Sequence, residues 1–139
     1  MIQCVAFSKR NENSYSTVAF ECAQKQNGNQ SANWGQKLKI ALKAEQLLDV
    51  MALLKGFRQS IEIKNHKTGI TINVKWLSDK QSKTRKINLM IAGEYSVGVI
   101  IEPSQIISLY TLLLRQASIN LQCSDIVLDN QLYHYQNTI

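Results

Sequence analysis

The residues with the most chemical potential in this chain are lysines on a β-type alternation. In "KLKIALK", Lys37, Lys39 and Lys43 fall on one side, while Leu38, Ile40 and Leu42 fall on the other. A strand so built has an apolar underside and a basic top, with Lys37 and Lys39 about 7 Å apart at roughly 3.3 Å per residue. Consecutive phosphates of an extended single strand lie at a comparable spacing, so the row suits the backbone of a nucleic acid. A second basic group lies within "VKWLSDKQSKTRKINLM", where Lys75, Lys80, Lys83, Arg85 and Lys86 stand against Asp79. This stretch reads as a hairpin connection, and its bases contribute to a polyanion site if they share a face with the basic strand. Unpaired bases also need flat apolar surfaces, on which each stacks for about 1 to 3 kcal/mol. Trp34, in the polar loop "NGNQSANWG", is the candidate platform, whereas Trp76 continues the alternating Ile70, Ile72 and Val74 face and reads as core.

Nothing comparable points to catalysis. No phosphate-cradling G-x-x-x-x-G-K-[ST], no G-x-S-x-G elbow and no H-E-x-x-H occurs, and the ten acids are scattered. The chain is therefore expected not to be an enzyme. Cys4, Cys22 and Cys123 are far apart with no C-x-x-C spacing, and His66 and His134 are distant from each other, so no metal site, disulfide framework or cofactor is expected. No segment reaches the roughly 18 consecutive apolar residues of a membrane helix, and "MIQCVAFSKR" lacks the pattern of a secretory leader. The default expectation is a cytoplasmic protein with reduced thiols and no membrane partner.

The elements that must position these residues are legible from periodicity. Ile2 to Lys9 and Tyr15 to Lys25 form a hairpin, followed after the loop by the basic strand. Ala44 to Phe57 turns to helical spacing, with Leu47, Leu48, Met51 and Leu54 on one side and Gly56 near the end. Four strands follow: Ile61 and Ile63, then Ile70 to Trp76 after a tip at "NHKTG", then Ile87 to Ile91, then Tyr95 to Ile101 after "AGEY". Pro103 opens a second helix, whose Ile106, Leu109, Tyr110, Leu113 and Leu114 form a wide apolar stripe. The fold class expected is α+β, with antiparallel sheets, two helices and strands-then-helix units roughly repeated. Residues 1–121 are taken as one domain. Residues 122–139 are a tail that could be an extra strand, a docking segment or disordered.

The charge is unevenly spread. The whole chain carries +6, but beyond Arg115 the only charged residues are Asp125 and Asp129, so residues 1–115 carry +8. A basic body attracts phosphate polymers through salt-screened fields.

The order of strands and helices from Ile2 to Leu121 resembles the Whirly proteins and the related transcriptional-coactivator fold. Ser60 to Leu121 is similar to one full unit of four strands and a helix, and Ile2 to Phe57 to a second unit in which three strands are visible. "KLKIAL" also resembles a Lys-Gly-Lys-Ala-Ala-Leu strand of plant Whirly proteins, matching at Lys37, Lys39, Ala41 and Leu42. The resemblance implies single-stranded nucleic acid bound across the sheets, and a homodimer or larger assembly with helices at the interface. The reading is thus a single-stranded DNA or RNA binding protein of low sequence specificity, DNA before RNA, acting in DNA transfer, recombination or transcription. Trp34, Lys37, Lys39, Lys43, Lys75, Lys80, Lys83, Arg85 and Lys86 would form the site. The competing reading is an oligomeric adaptor or regulator without nucleic-acid binding, whose Tyr-bearing tail from Ile126 to Tyr135 adds a strand to a protein partner.

Overall fold

In a computed structural model, the structure describes residues 2–8, 16–23, 34–77 and 85–137, with the backbone alone for 2–8, 16, 34, 133 and 135–137. Two antiparallel sheets and three helices account for these residues. The first sheet has the order β1 (Ile2–Ser8), β2 (Ser16–Cys22), β3 (Leu38–Ala41), with β2 in the middle. Its register runs from Ile2 opposite Cys22 to Ser8 opposite Ser16, and Cys22 in turn faces Leu38. The expected alternation of the basic strand is present: Leu38, Ile40 and Leu42 are buried while Lys37, Lys39 and Lys43 are exposed.

The strand stops at Ala41 because the next residues turn into α1 (Ala44–Leu54). The Leu42 N–H donates to the Val18 carbonyl, and the Thr17 hydroxyl donates to the Leu42 carbonyl, pinning the exit of β3 to β2. Lys43 is therefore the N-cap of α1 rather than a strand residue, and its N–H donates to the Gln46 side chain at 2.7 Å. α2 (Pro103–Leu121) begins the same way, with the Glu102 N–H donating to Gln105 at 2.9 Å and Pro103 at the first helical position. α1 is closed by Gly56, the residue after its C-cap Lys55, and the Gly56 φ of +85° suits a residue without Cβ.

The second sheet is a simple meander, β4 (Ser60–Lys64), β5 (Thr71–Leu77), β6 (Lys86–Ala92) and β7 (Ser96–Ile101). The β4–β5 tip is set by Asn65, whose side chain accepts from the Lys67 and Thr68 N–H groups, and by Gly69 at φ +73°. Ile63, Ile72, Val74, Trp76, Ile87, Leu89, Ile91 and Ile101 face inward. They join Phe20, Ile40, Leu47, Met51, Leu109 and Leu113 in one continuous core shared by both sheets and the helices.

The tail, left open by the sequence, forms a third helix, α3 (Asp125–Asn137), and not a strand. Leu128 and Leu132 bury it in the common core, and Asp129 receives hydrogen bonds from the Tyr110 hydroxyl and from Lys55, 3.1 Å away. No helix among the described residues is long and apolar enough to cross a membrane.

Candidate nucleic-acid interface

The outer face of the second sheet is polar and laid out in rows by its register. Ser60, Lys75, Asn88 and Ile100 form one row, and Glu62, Asn73, Met90 and Gly98 the next. Lys64, Thr71, Ala92 and Ser96 form a third. These residues alternate with the buried ones, so all of them project to the same outer side. Lys64 and Lys75 stand four residues apart along the strand direction, about 13 Å at roughly 3.3 Å per residue. A groove of about 430 Å³ runs over this face, lined by Ser60, Glu62, Asn73, Lys75, Asn88 and Met90. Met90 and Ile100 are 40% and 46% exposed there and give the face a non-polar patch beside its lysines.

The edge strand β3 of the first sheet runs along the β4–β5 hairpin, producing a seam between the sheets. One end of it is a cleft of about 290 Å³, whose walls include Ile40, Lys43, Gln46, Lys64, His66 and Lys67. At the other end Lys37 and Leu38 meet Gly69, Gly93 and Tyr95 around a wider groove of about 600 Å³. There the Tyr95 hydroxyl donates to the Gln36 carbonyl at 2.5 Å, so this tyrosine ties the β6–β7 turn to the approach of β3. Gly93 fits against Leu38 and Ile70 so closely that a Cβ would sit 3.2 Å from a Leu38 methyl.

Electrostatics separate the basic residues into two groups. Lys37 and Lys39 share one carboxylate, Glu21, at 3.2 and 3.9 Å, because Glu21 lies opposite Lys39 in the β2–β3 register. Lys86 pairs with Glu102 at 3.5 Å, Arg58 with Asp49, and Lys55 with Asp129. Among the described residues, Lys43, Lys64, Lys67 and Lys75 have no acidic partner, and all four lie on the second sheet's outer face or the seam beside it.

The residues singled out from the sequence thus divide. Lys75 and Lys86 share the outer face of the second sheet, and Lys43 borders the seam. Lys37 and Lys39 lie along β3, beside Glu21. Arg85 goes elsewhere: its guanidinium lies over the Trp76 ring, 4.4 Å from the centroid, on the core side of β5. Trp76 is buried, as its alternation implies, and donates its indole N–H to the Leu53 carbonyl at 2.7 Å. Trp34 starts a short 3₁₀ turn (Trp34–Gln36), but its side chain lies outside the described residues, as do Lys80 and Lys83 altogether. Lys64, His66 and Lys67 were missed. Their signal was present, in that Lys64 alternates outward on β4 and the tip "NHKTG" adds two ionisable residues at the edge next to the basic strand.

No group of three metal-ligating side chains occurs among the described residues. Burial pushes the Cys22 thiol up, away from the reactive thiolate, and both Cys22 and Cys123 are unbridged.

No protein-family model and no curated protein matches the chain. Solved structures do. A crystal structure of WHY3 from Arabidopsis thaliana superposes with a TM-score of 0.57 at 15% identity, covering 95% of this chain and 86% of that one. WHY1 from the same plant gives 0.58 at 12% identity over 96% and 84%. The plant transcriptional regulator PBF-2 gives 0.55 at 11% over 87% and 75%. With its two antiparallel sheets, its strands-then-helix order and these neighbours, the chain has a Whirly-like fold.

Proposed function

We propose that this chain is a non-enzymatic protein that binds single-stranded nucleic acid, DNA before RNA, with low sequence specificity. The contact surface is the outer face of the second sheet together with its seam with the first. The observation that carries this reading is the gathering there of Lys43, Lys64, Lys67 and Lys75, four lysines without an acidic partner among the described residues, beside exposed Met90 and Ile100. Lysines neutralise phosphates, and apolar side chains on an open sheet give unstacked bases something to lie on. A duplex hides its bases and would leave Met90 and Ile100 unused. The Whirly-like fold supports the reading, and the neighbour described as a transcriptional regulator makes transcription one of its plausible settings, beside DNA transfer and recombination. A reducing cytoplasmic compartment suits the unbridged thiols.

Self-association belongs to the proposal. Five of the seven exposed large apolar residues among those described, Ile107, Ile119, Leu121, Ile126 and Val127, lie on α2 and α3, away from the basic face. The same residues support the second reading, a protein-interaction adaptor, though its partner would meet helices, since the tail is helical.

Fluorescence anisotropy with labelled single-stranded and duplex oligonucleotides, at low and physiological salt, tests the main reading. Salt-sensitive binding that prefers the single strand is expected. Absence of binding to either form at low salt would falsify it and leave the adaptor.

A further inference from the structure

A face meant only for phosphates has no use for a carboxylate in its middle row, yet Glu62 stands there on the edge strand β4. It lies directly opposite Asn73, in the middle row between the rows that hold Lys75 and Lys64. Glu62 is exposed and, among the described residues, forms no ion pair with either lysine. Asn73 is likewise exposed, and Asn88 stands one strand further on, opposite Lys75. Among the described residues none of the three side chains has a hydrogen-bond partner, so one carboxylate and two carboxamides face the same groove with donors and acceptors available to a ligand. Met90 closes that groove on the side of β6, and opposite it Gly98 carries no side chain, leaving the methionine as the apolar floor.

We propose that this groove selects an unpaired base carrying an exocyclic amine, such as cytosine, over thymine or uracil. The inference rests on the single-strand reading above and adds a base preference to it. Lys75 and Lys64, about 13 Å apart, span two steps of an extended backbone, which places the base between them over the Glu62 and Asn73 row. The amine of the base donates to the Glu62 carboxylate, and the Asn73 carboxamide donates to the adjacent ring nitrogen acceptor. Met90 lies against the ring. Thymine presents an imide instead, whose two carbonyl oxygens flank its single N–H. Its N–H can donate to Glu62 and one oxygen can accept from Asn73, but the second oxygen then lies against the carboxylate, a repulsion that cytosine avoids. The selection is by base composition within a site that otherwise tolerates sequence, because backbone contacts and the apolar floor are indifferent to it.

The test compares labelled oligo(dC) with oligo(dT) of equal length, both pyrimidines, so that ring size is matched. Affinities are measured by anisotropy at one fixed salt for the native protein, Glu62→Ala and Asn73→Ala. The native protein is expected to favour oligo(dC) by about tenfold, within the range of one good polar base contact. Each variant is expected to keep binding while the ratio falls toward one, Glu62→Ala by tightening oligo(dT) as the repulsion disappears. Circular dichroism confirms that these surface variants fold. Equal affinities in the native protein overturn the inference and leave single-strand binding standing, as does a preference that survives both substitutions. Binding of neither oligonucleotide at low salt overturns the single-strand reading and this inference together.

Discussion

At the level of single residues, the deciding quantity is whether each cation has a carboxylate of its own. Lys64 and Lys75 have none, whereas Lys37 and Lys39 divide Glu21 between them. The salt dependence of single-strand binding counts the phosphates neutralised, with a slope of about −0.7 per contact for single strands. Replacing Lys64 and Lys75 together by Ala is therefore expected to remove about two contacts from the slope. The Lys37 and Lys39 double replacement removes fewer, because one of those charges is already balanced. Equal slopes for the two double variants, read from anisotropy across a salt series, would contradict this ranking. Trp76 makes the complementary prediction. Trp76→Phe leaves the buried Leu53 carbonyl without its indole donor and is expected to cost about 1 to 3 kcal/mol of stability in urea unfolding. Single-strand affinity should hold, since the ring is buried; a selective loss of affinity would move Trp76 into the interface. The inward place of Trp76 was legible because it continues a period of two. The neutralisation of the lysine row was not, because Glu21 and Lys39 are far apart in sequence and meet only through the β2–β3 register, which alternation alone does not determine.

Among the elements, strands and helix starts could be read because local physics decides them. Alternation marks β4 to β7, and Pro103 marks the start of α2. The third helix was harder to read. Asp125–Asn137 shows little amphipathic pattern and is held by contacts distant in sequence: Leu128 and Leu132 in the core, and Asp129 with Tyr110 and Lys55. The joint before it is strained, since Gln122 adopts φ 54°, a left-handed conformation that favours glycine. Gln122→Gly is expected to raise thermal stability by about 1 kcal/mol; a loss would mean the side chain has an unrecognised role. The docking of α3 should also respond to acid. The Tyr110 hydroxyl, with Lys55 beside it, holds the Asp129 carboxyl below the usual carboxylate range, against a smaller opposing effect of burial. Asp129 thus contributes stability in full above its unfolded value of about 3.9, and that contribution is lost as pH falls through the lower folded value. Thermal unfolding of native protein and Asp129→Asn should differ near neutrality and converge as the pH falls below the ordinary carboxylate range; a gap independent of pH would exclude the ion pair as its source.

For the whole molecule, the two kinds of surface are kept apart. The lysines without acidic partners among the described residues lie on the second sheet and the seam, while the helices carry most of the exposed large apolar side chains, with Ile107 at 68% and Ile126 at 75% exposure. A chain with a net charge of +6 repels its own copies at low salt, so association must come from a surface where charge is sparse. α2 and α3 provide one, since Arg115 and the two aspartates are their only charged residues apart from the helix-end His134. Burying that surface between copies would leave both basic faces free for one strand to bridge, and bridging raises affinity by effective concentration. Light scattering after size exclusion is expected to give a dimer or larger assembly. The Ile107→Glu, Ile126→Glu double variant should be monomeric with its thermal stability nearly unchanged, because both side chains are exposed in the single chain. It should also bind long single strands less tightly than the native protein while matching it on an oligonucleotide too short to reach two copies. A native monomer, or a variant that stays assembled, would remove the helices as the interface and with it the bridging argument.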